Sequence, residues 1–293
     1  MLKRMISGLL ILFFLAACGG VDSQEAPEET QQSEETETEQ PEPETEETSK
    51  GEGEDTSQEE ESDEEAKDSE SADETSAQPE EEPKEPQYKL GANWSFEPIA
   101  DANPQVALIT IDDAPDKYGV EMAKTLKEMN APAIFFVNGH FIDTEEEKEK
   151  LKQIHELGFA IGNHTNSHAS LPDLTEEQQK QEIVGLNDQI EKVIGERPKF
   201  FRAPFGQNTD YSKQLAKEEG MLVMNWTYGY DWNEEYMSAD AIADIMVNTE
   251  LLNHGANLLM HDREWTYNGL TQIVEGLRNK DYELLDPALI QTP

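Results

Sequence analysis

Five short segments of this chain carry side chains that could do chemistry together. Asp112 and Asp113 are adjacent carboxylates that follow an apolar run at 106–111. His164 and His168 place two of the chain's six histidines within five residues. Arg202-Ala203-Pro204-Phe205-Gly206 ends another apolar run, Tyr230-Asp231-Trp232 follows a fifth, and His261-Asp262 closes a sixth. Two neutral imidazoles and one carboxylate suit zinc or a similar divalent ion, with coordination positions left for water. Such an ion acidifies water and polarises a carbonyl. The second carboxylate is then free to act as a base, and a separate histidine can protonate a leaving group. An arginine beside the base would hold it ionised and oriented. This is equipment for hydrolysing an amide or ester. No glycine-rich turn follows the first run, so a dinucleotide fingerprint is absent.

These segments need a scaffold that brings them together, and the apolar pattern supplies one. Strand-length runs at 106–111, 133–137, 159–162, 199–202, 221–226, 257–260 and 282–285 alternate with stretches of helical periodicity. Those stretches are 118–129, 145–157, 175–194, 210–219, 239–252 and 266–279, and Thr175 with Gln178 forms a capping-box pattern. Continuous apolar strands separated by helices predict a parallel sheet covered on both faces. Seven strand–helix units in about 200 residues fit an α/β barrel, and an open doubly wound sheet is the alternative. Either fold gathers ligands at the carboxyl ends of the strands, where the five segments lie.

The rest of the chain has different physics. The 293 residues carry a formal charge of −42. Residues 21–86 hold 29 acids and three lysines and lack Leu, Ile, Phe, Trp, Tyr and Met, whereas 87–293 hold 35 acids and 17 bases. A segment so poor in apolar side chains cannot offset its ordering entropy and is expected to be a disordered acidic tether. Both regions repel a phosphate backbone, which excludes nucleic acid as a partner. At the start, Lys3 and Arg4 precede an apolar stretch at 5–15 that is too short to span a bilayer. It reads as a signal peptide. The stretch ends Leu15-Ala16-Ala17-Cys18-Gly19, which resembles the lipobox of bacterial lipoproteins. Cys18 is the single cysteine, so no internal disulfide can form, and lipidation there would anchor the chain to a membrane. The expected organisation is a signal peptide at 1–17, a lipid-anchored tether at 18–86 and a folded catalytic domain at 87–293.

The five segments together resemble the polysaccharide deacetylases, carbohydrate esterase family 4, with the NodB-homology domain. The resemblance covers about 104–290. Thr110-Ile111-Asp112-Asp113-Ala114 is similar to the family's Thr-Phe-Asp-Asp-Gly. His164 and His168 match His-Ser/Thr-x-x-His, and Arg202, Pro204, Phe205 and Gly206 match Arg-x-Pro-Tyr/Phe-Gly. Asp231-Trp232 keeps half of Asp-x-x-Asp-Trp, with Tyr228 in the place of the first acid, and Leu259-Met260-His261 matches Leu-x-His. The resemblance implies a distorted (β/α)7, TIM-like barrel. It implies that Asp112 is the general base and that Asp113, His164 and His168 hold a divalent metal, zinc or else cobalt or another ion. Arg202 would orient the base, Asp231 would hold Arg202, and His261 would be the general acid. The Phe205 N–H would stabilise an oxyanion, Trp232 would wall the groove, and Leu259 would line the pocket for the acetyl methyl.

Two departures stand out: Ala114 replaces a glycine and Tyr228 replaces an acid. His140, after the second strand, is a candidate substrate contact. The implied activity is removal of N-acetyl groups from an extracellular glycan. Peptidoglycan N-acetylglucosamine or N-acetylmuramic acid is preferred, because an anchor and tether place the domain in the cell envelope. Chitin-like or O-acetylated polysaccharide, a silent glycan-binding module, and a small-molecule amide or cyclic-imide hydrolase are the alternatives.

Overall fold

The computed structural model describes residues 84–293. The expected signal peptide, Cys18 and the expected tether up to residue 83 lie outside the described residues. A short antiparallel hairpin comes first, β1 (Tyr88–Leu90) with β2 (Phe96–Pro98). Alternating strands and helices follow: β3 (Val106–Ala114), α1 (Gly119–Glu128), β4 (Ala133–Val137), α2 (Glu145–Glu156), β5 (Ala160–Asn163) and α3 (Glu176–Ile194). Then come β6 (Phe200–Phe201), α4 (Asp210–Glu218), β7 (Leu222–Val223), β8 (Tyr228–Gly229), α5 (Ala239–Asn248), β9 (Ala256–His261), α6 (Glu264–Asn279) and β10 (Glu283–Leu284). The large sheet runs β7-β6-β5-β4-β3-β9-β8, every pairing parallel, and β10 joins the start of β3. This is a curled α/β half-barrel. Its two ends are β7 and β8, consecutive in sequence yet unpaired with each other among the described residues.

Alternation along each strand decides what faces the site. In β3, Ile109 and Ile111 pack outward with the helices, while Leu108 belongs to the inner cluster. The two-residue period therefore sends Thr110 and Asp112 inward as well. In β9 the outward residues are Leu258 and Met260, which leaves Asn257, Leu259 and His261 on the inner face. In β4, Phe136 points inward and fills the space over Gly162, where a Cβ would meet the Phe136 ring at 2.4 Å. The helices are fixed at their ends, α3 by the capping box expected there. Thr175 and Gln178 exchange the two bonds of a capping box at α3, and Thr144 and Glu147 do the same at α2. Gly195 closes α3 at φ 81°, a left-handed conformation that costs glycine little.

The six helices expected from periodicity all form. Three strands escape the apolar pattern. β1 and β2 are three-residue pieces, and β8 is a pair in a polar stretch that reads as a loop. None of the described helices is long and apolar enough to cross a membrane.

Candidate active site

Adjacent residues in a regular strand point to opposite faces, so Asp112 and Asp113 should not meet. A register shift between Ile111 and Ala114, with Asp113 at φ 59°, turns the second carboxylate to the same mouth. There one carboxylate oxygen of Asp113 and one ring nitrogen each of His164 and His168 lie within 4.8 Å of one another. His168 Nε2 is 3.7 Å and His164 Nε2 3.9 Å from Asp113 Oδ1. The donor set fits a divalent ion for a reason visible in the hydrogen bonding. The Arg202 carbonyl can only accept, so His164 Nδ1, 2.7 Å away, carries the proton. Nε2 therefore presents its lone pair to the cluster, the arrangement in which histidine binds metal. Burial opposes charge on Asp113, but His164, His261, His168 and Arg263 outweigh it and hold this carboxyl below its ordinary value. Burial, then the neighbouring His164, pushes the His168 imidazole down, which keeps it neutral and able to ligate.

Asp112 lies beside this cluster, with Oδ2 3.5 Å from His164 Nε2. Its other oxygen accepts from Arg202 Nη1 at 2.6 Å. Both side chains are buried, and Arg202 has no exposure at all. The guanidinium also donates to Thr110 Oγ1 at 2.8 Å and to the Asn225 carbonyl at 2.9 Å, and lies 4.3 Å over the Phe136 ring. Burial pushes its pKa down, and Asp112 pulls the other way. Because Asn225 sits in the stretch between β7 and β8, Arg202 spans the unpaired ends of the sheet while orienting the candidate base.

Asp231 does something other than expected. Among the described residues it forms no hydrogen bond or ion pair with Arg202. Its Oδ1 accepts from His261 Nδ1 at 2.7 Å, and its Oδ2 accepts from the His261 backbone N–H at 2.6 Å and from Thr266 Oγ1 at 2.8 Å. Trp265 Nε1 donates to the Asp231 carbonyl at 2.7 Å. The correction has a topological cause. β8 is bonded to β9, so the loop after β8 lies over the end of β9, where His261 sits, whereas Arg202 follows β6. Burial would lower the His261 pKa, but the Asp231 hydrogen bond and charge raise it above the ordinary imidazole value. A histidine held toward its protonated form, with Nε2 directed away from its partner, is arranged as an acid.

The remaining expected residues also reach the mouth. Phe205, at φ 58°, is 62% exposed and sets its ring edge against His168 at 4.9 Å. Its backbone N–H makes no hydrogen bond among the described residues, as an oxyanion donor requires. Trp232 is 47% exposed and stands edge-on to His261 at 5.7 Å. Gly229 makes this possible, since a Cβ there would meet the Trp232 ring at 2.8 Å. Leu259 is buried one alternation below His261. Tyr228 does not reach the groove. Its ring packs in the helix-side core and its hydroxyl donates to the Met246 carbonyl at 2.7 Å. Ala114 is buried at the end of β3. His140 is exposed on the loop after β4, its ring against Phe141.

Sequence reasoning missed Arg263, whose Nη2 donates to Asp113 Oδ2 at 2.9 Å. It also missed Thr110, Asn225, Asn257 and Thr266, which hold the base and acid from behind. Thr110 and Asn257 were legible as polar residues inside apolar strands. Arg263 carried no signal beyond its nearness to His261. A cavity of about 780 Å³ is lined by Leu126, Phe159, Ile194 and Phe200 at the amino ends of the strands, away from this site.

Known proteins share this chain's sequence pattern and fold. The polysaccharide deacetylase family profile matches residues 100–224. A peptidoglycan-N-acetylglucosamine deacetylase of Bacillus cereus is 30% identical over 187 residues, 61% of this chain and 68% of that protein. The peptidoglycan-N-acetylmuramic acid deacetylase PdaC of Bacillus subtilis is 29% identical over 192 residues, 64% of this chain but 39% of that longer protein. Among solved structures, a peptidoglycan N-acetylglucosamine deacetylase in complex with a hydroxamate-bearing benzamide matches with a TM-score of 0.59 and 27% identity, over 65% of this chain and 90% of that one. The curled sheet, the site at its carboxyl ends and these relatives place the chain in the polysaccharide deacetylase family, hydrolases that act on amide bonds.

Proposed function

We propose that the chain is a divalent-metal-dependent deacetylase that removes N-acetyl groups from peptidoglycan at the outer face of the cell membrane. The observation that carries this reading is the position of Asp112. It is a buried carboxylate clamped by Arg202, 3.5 Å from a ligand-ready His164, in the same mouth as His261. A bound metal would supply Lewis acidity toward the acetyl carbonyl and its attacking water. Asp113, His164 and His168 would hold it.

The chain's own groups then divide the proton work. Asp112 takes the proton from the attacking water as its oxygen bonds to the acetyl carbon. Arg202 aims that carboxylate through a 2.6 Å bond. The tetrahedral oxyanion lies against the Phe205 N–H. When the carbon–nitrogen bond breaks, His261 gives its proton to the departing amine, and Asp231 stabilises the imidazolium until then. Acetate and a free amino sugar are the products. Leu259 excludes water around the methyl, and Trp232 provides a wall for the sugar chain.

Support for peptidoglycan comes from the two relatives and the solved structure above, all three named for its deacetylation. N-acetylglucosamine and N-acetylmuramic acid are both candidates for the sugar. The envelope location is inferred from Cys18 and its apolar leader. Zinc is the metal proposed from the two-imidazole, one-carboxylate donor set. Purified protein loaded with zinc should release acetate from defined peptidoglycan fragments, with mass loss assigned to one sugar, and chelation should stop it. No release from peptidoglycan or chitin oligomers, or release indifferent to chelator, would overturn the activity. Glycan binding without acetate would instead mark a silent binding module. Radiolabelled lipid should enter the wild type and not Cys18→Ala; label in the variant would remove the anchor.

A further inference from the structure

We propose that Glu182 is a positioning residue for the metal site, a clamp from helix α3 that holds the loop between the two histidine ligands. The inference rests on Asp113, His164 and His168 being the ligands. The loop needs holding. Thr165 at φ 69° and His168 at φ 57° are both left-handed, a conformation that non-glycine residues adopt only where surroundings enforce it. Without that turn, His168 could not bring Nε2 to 3.7 Å from Asp113.

Three elements enforce it. Just after β4, the Asn138 amide donates to the His164 carbonyl at 2.6 Å. From β5, Asn163 Oδ1 accepts the Thr165 N–H at 2.9 Å. These fix the first half of the loop, up to Thr165. In the second half, which carries His168, Asn166 accepts from the His140 N–H at 3.0 Å and from Gln189 Nε2 at 3.0 Å, and Glu182 holds both Asn166 and Ser167. Its backbone carbonyl accepts the Asn166 N–H at 3.0 Å. Its carboxylate takes two bonds from Ser167, the N–H at 2.8 Å and the hydroxyl at 2.7 Å. A carboxylate bound at two points fixes orientation as well as distance. Glu182 is thus the side chain that sets the residue immediately before the second ligand, and no sequence motif marks it.

The test is zinc affinity of the folded protein, measured by competition with a chromophoric chelator. Loss of groups that orient metal ligands costs about 10–100-fold in affinity. Glu182→Ala should bind zinc at least about tenfold more weakly. Glu182→Gln can accept the Ser167 N–H on its oxygen and donate to the hydroxyl from its amide. It should therefore recover most of the affinity. Lys180→Ala, exposed on the same helix, should bind as the wild type does. Zinc bound by folded Glu182→Ala within twofold of wild type would overturn the proposal, as would a Gln variant as weak as the Ala variant. If Glu182→Ala does not fold, Ser167→Ala decides, because it removes one of the two bonds: weaker binding supports the clamp and unchanged binding overturns it. His168→Ala separates this from the ligand assignment. If His168→Ala retains wild-type affinity, the ligand reading fails. If it loses zinc while Glu182→Ala does not, the clamp alone fails.

Discussion

Replacing Arg202 with methionine removes a buried charge while keeping an unbranched chain of similar length. The structure allows the cost to be apportioned. Thr110 Oγ1 still donates to the Leu258 carbonyl at 2.6 Å, and the Asn225 carbonyl still accepts from Asn257 Nδ2 at 3.0 Å. Neither group is orphaned by the loss. Asp112 is different, because Arg202 is its one cationic hydrogen-bond donor among the described residues and the carboxylate is 2% exposed. Breaking a buried pair by removing one partner costs about 3–5 kcal/mol, chiefly from the uncompensated charge left behind. The stacking of the guanidinium over Phe136 adds about 0.5–2 kcal/mol. Urea unfolding of Arg202→Met should therefore show a loss of about 3.5–7 kcal/mol. The decisive comparison is a double-mutant cycle. Adding Asp112→Asn removes the stranded charge, so the double variant should be more stable than Arg202→Met alone by at least about 1 kcal/mol. An Arg202→Met protein within about 1 kcal/mol of wild type would refute the reasoning. So would a double variant less stable than Arg202→Met.

The remaining predictions concern the acid, the replaced acid position and the groove wall. Asp231 raises the His261 pKa, so this pair contributes stability that is fully present below the ordinary imidazole value and lost as pH rises through the raised one. In Asp231→Asn that support disappears. The high-pH limb of kcat/KM should move to lower pH, and an unmoved limb would remove His261 as the acid. Tyr228→Phe loses one buried hydrogen bond and should cost about 0.5–1.5 kcal/mol with kcat/KM unchanged; a large kinetic effect would return Tyr228 to the groove. Trp232→Ala should raise KM for long glycan fragments more than it lowers kcat, and equal effects on mono- and oligosaccharides would contradict its role as a wall.

Most of this architecture is visible in the chain because local and global signals agree. The six helices follow from apolar periodicity and from caps such as Thr175 with Gln178, and the main strands from continuous apolar runs. The site residues were legible because chemistry of this kind needs unusual side chains at strand ends, where Asp112, His164, Arg202 and His261 fall. What escaped depends on long-range pairing. Asp231 was expected beside Arg202, but the neighbour of β8 is β9, a fact set by strand order and not by spacing in the sequence. The Tyr228 hydroxyl lies 2.7 Å from a carbonyl on α5 for the same reason. Arg263 and Glu182 are ordinary charged residues by sequence. Their contacts with Asp113 and Ser167 exist only because loops from different strands share one mouth.

The central claim is that Asp112 acts as the base while Asp113 and the two histidines hold the metal. One measurement separates these roles: acetate release and bound zinc determined on the same sample of Asp112→Asn protein. The account predicts that turnover on peptidoglycan fragments is abolished while zinc content stays at the wild-type level. Retained turnover would contradict Asp112 as the base, and zinc lost in parallel with activity would contradict the division of labour between the two adjacent carboxylates.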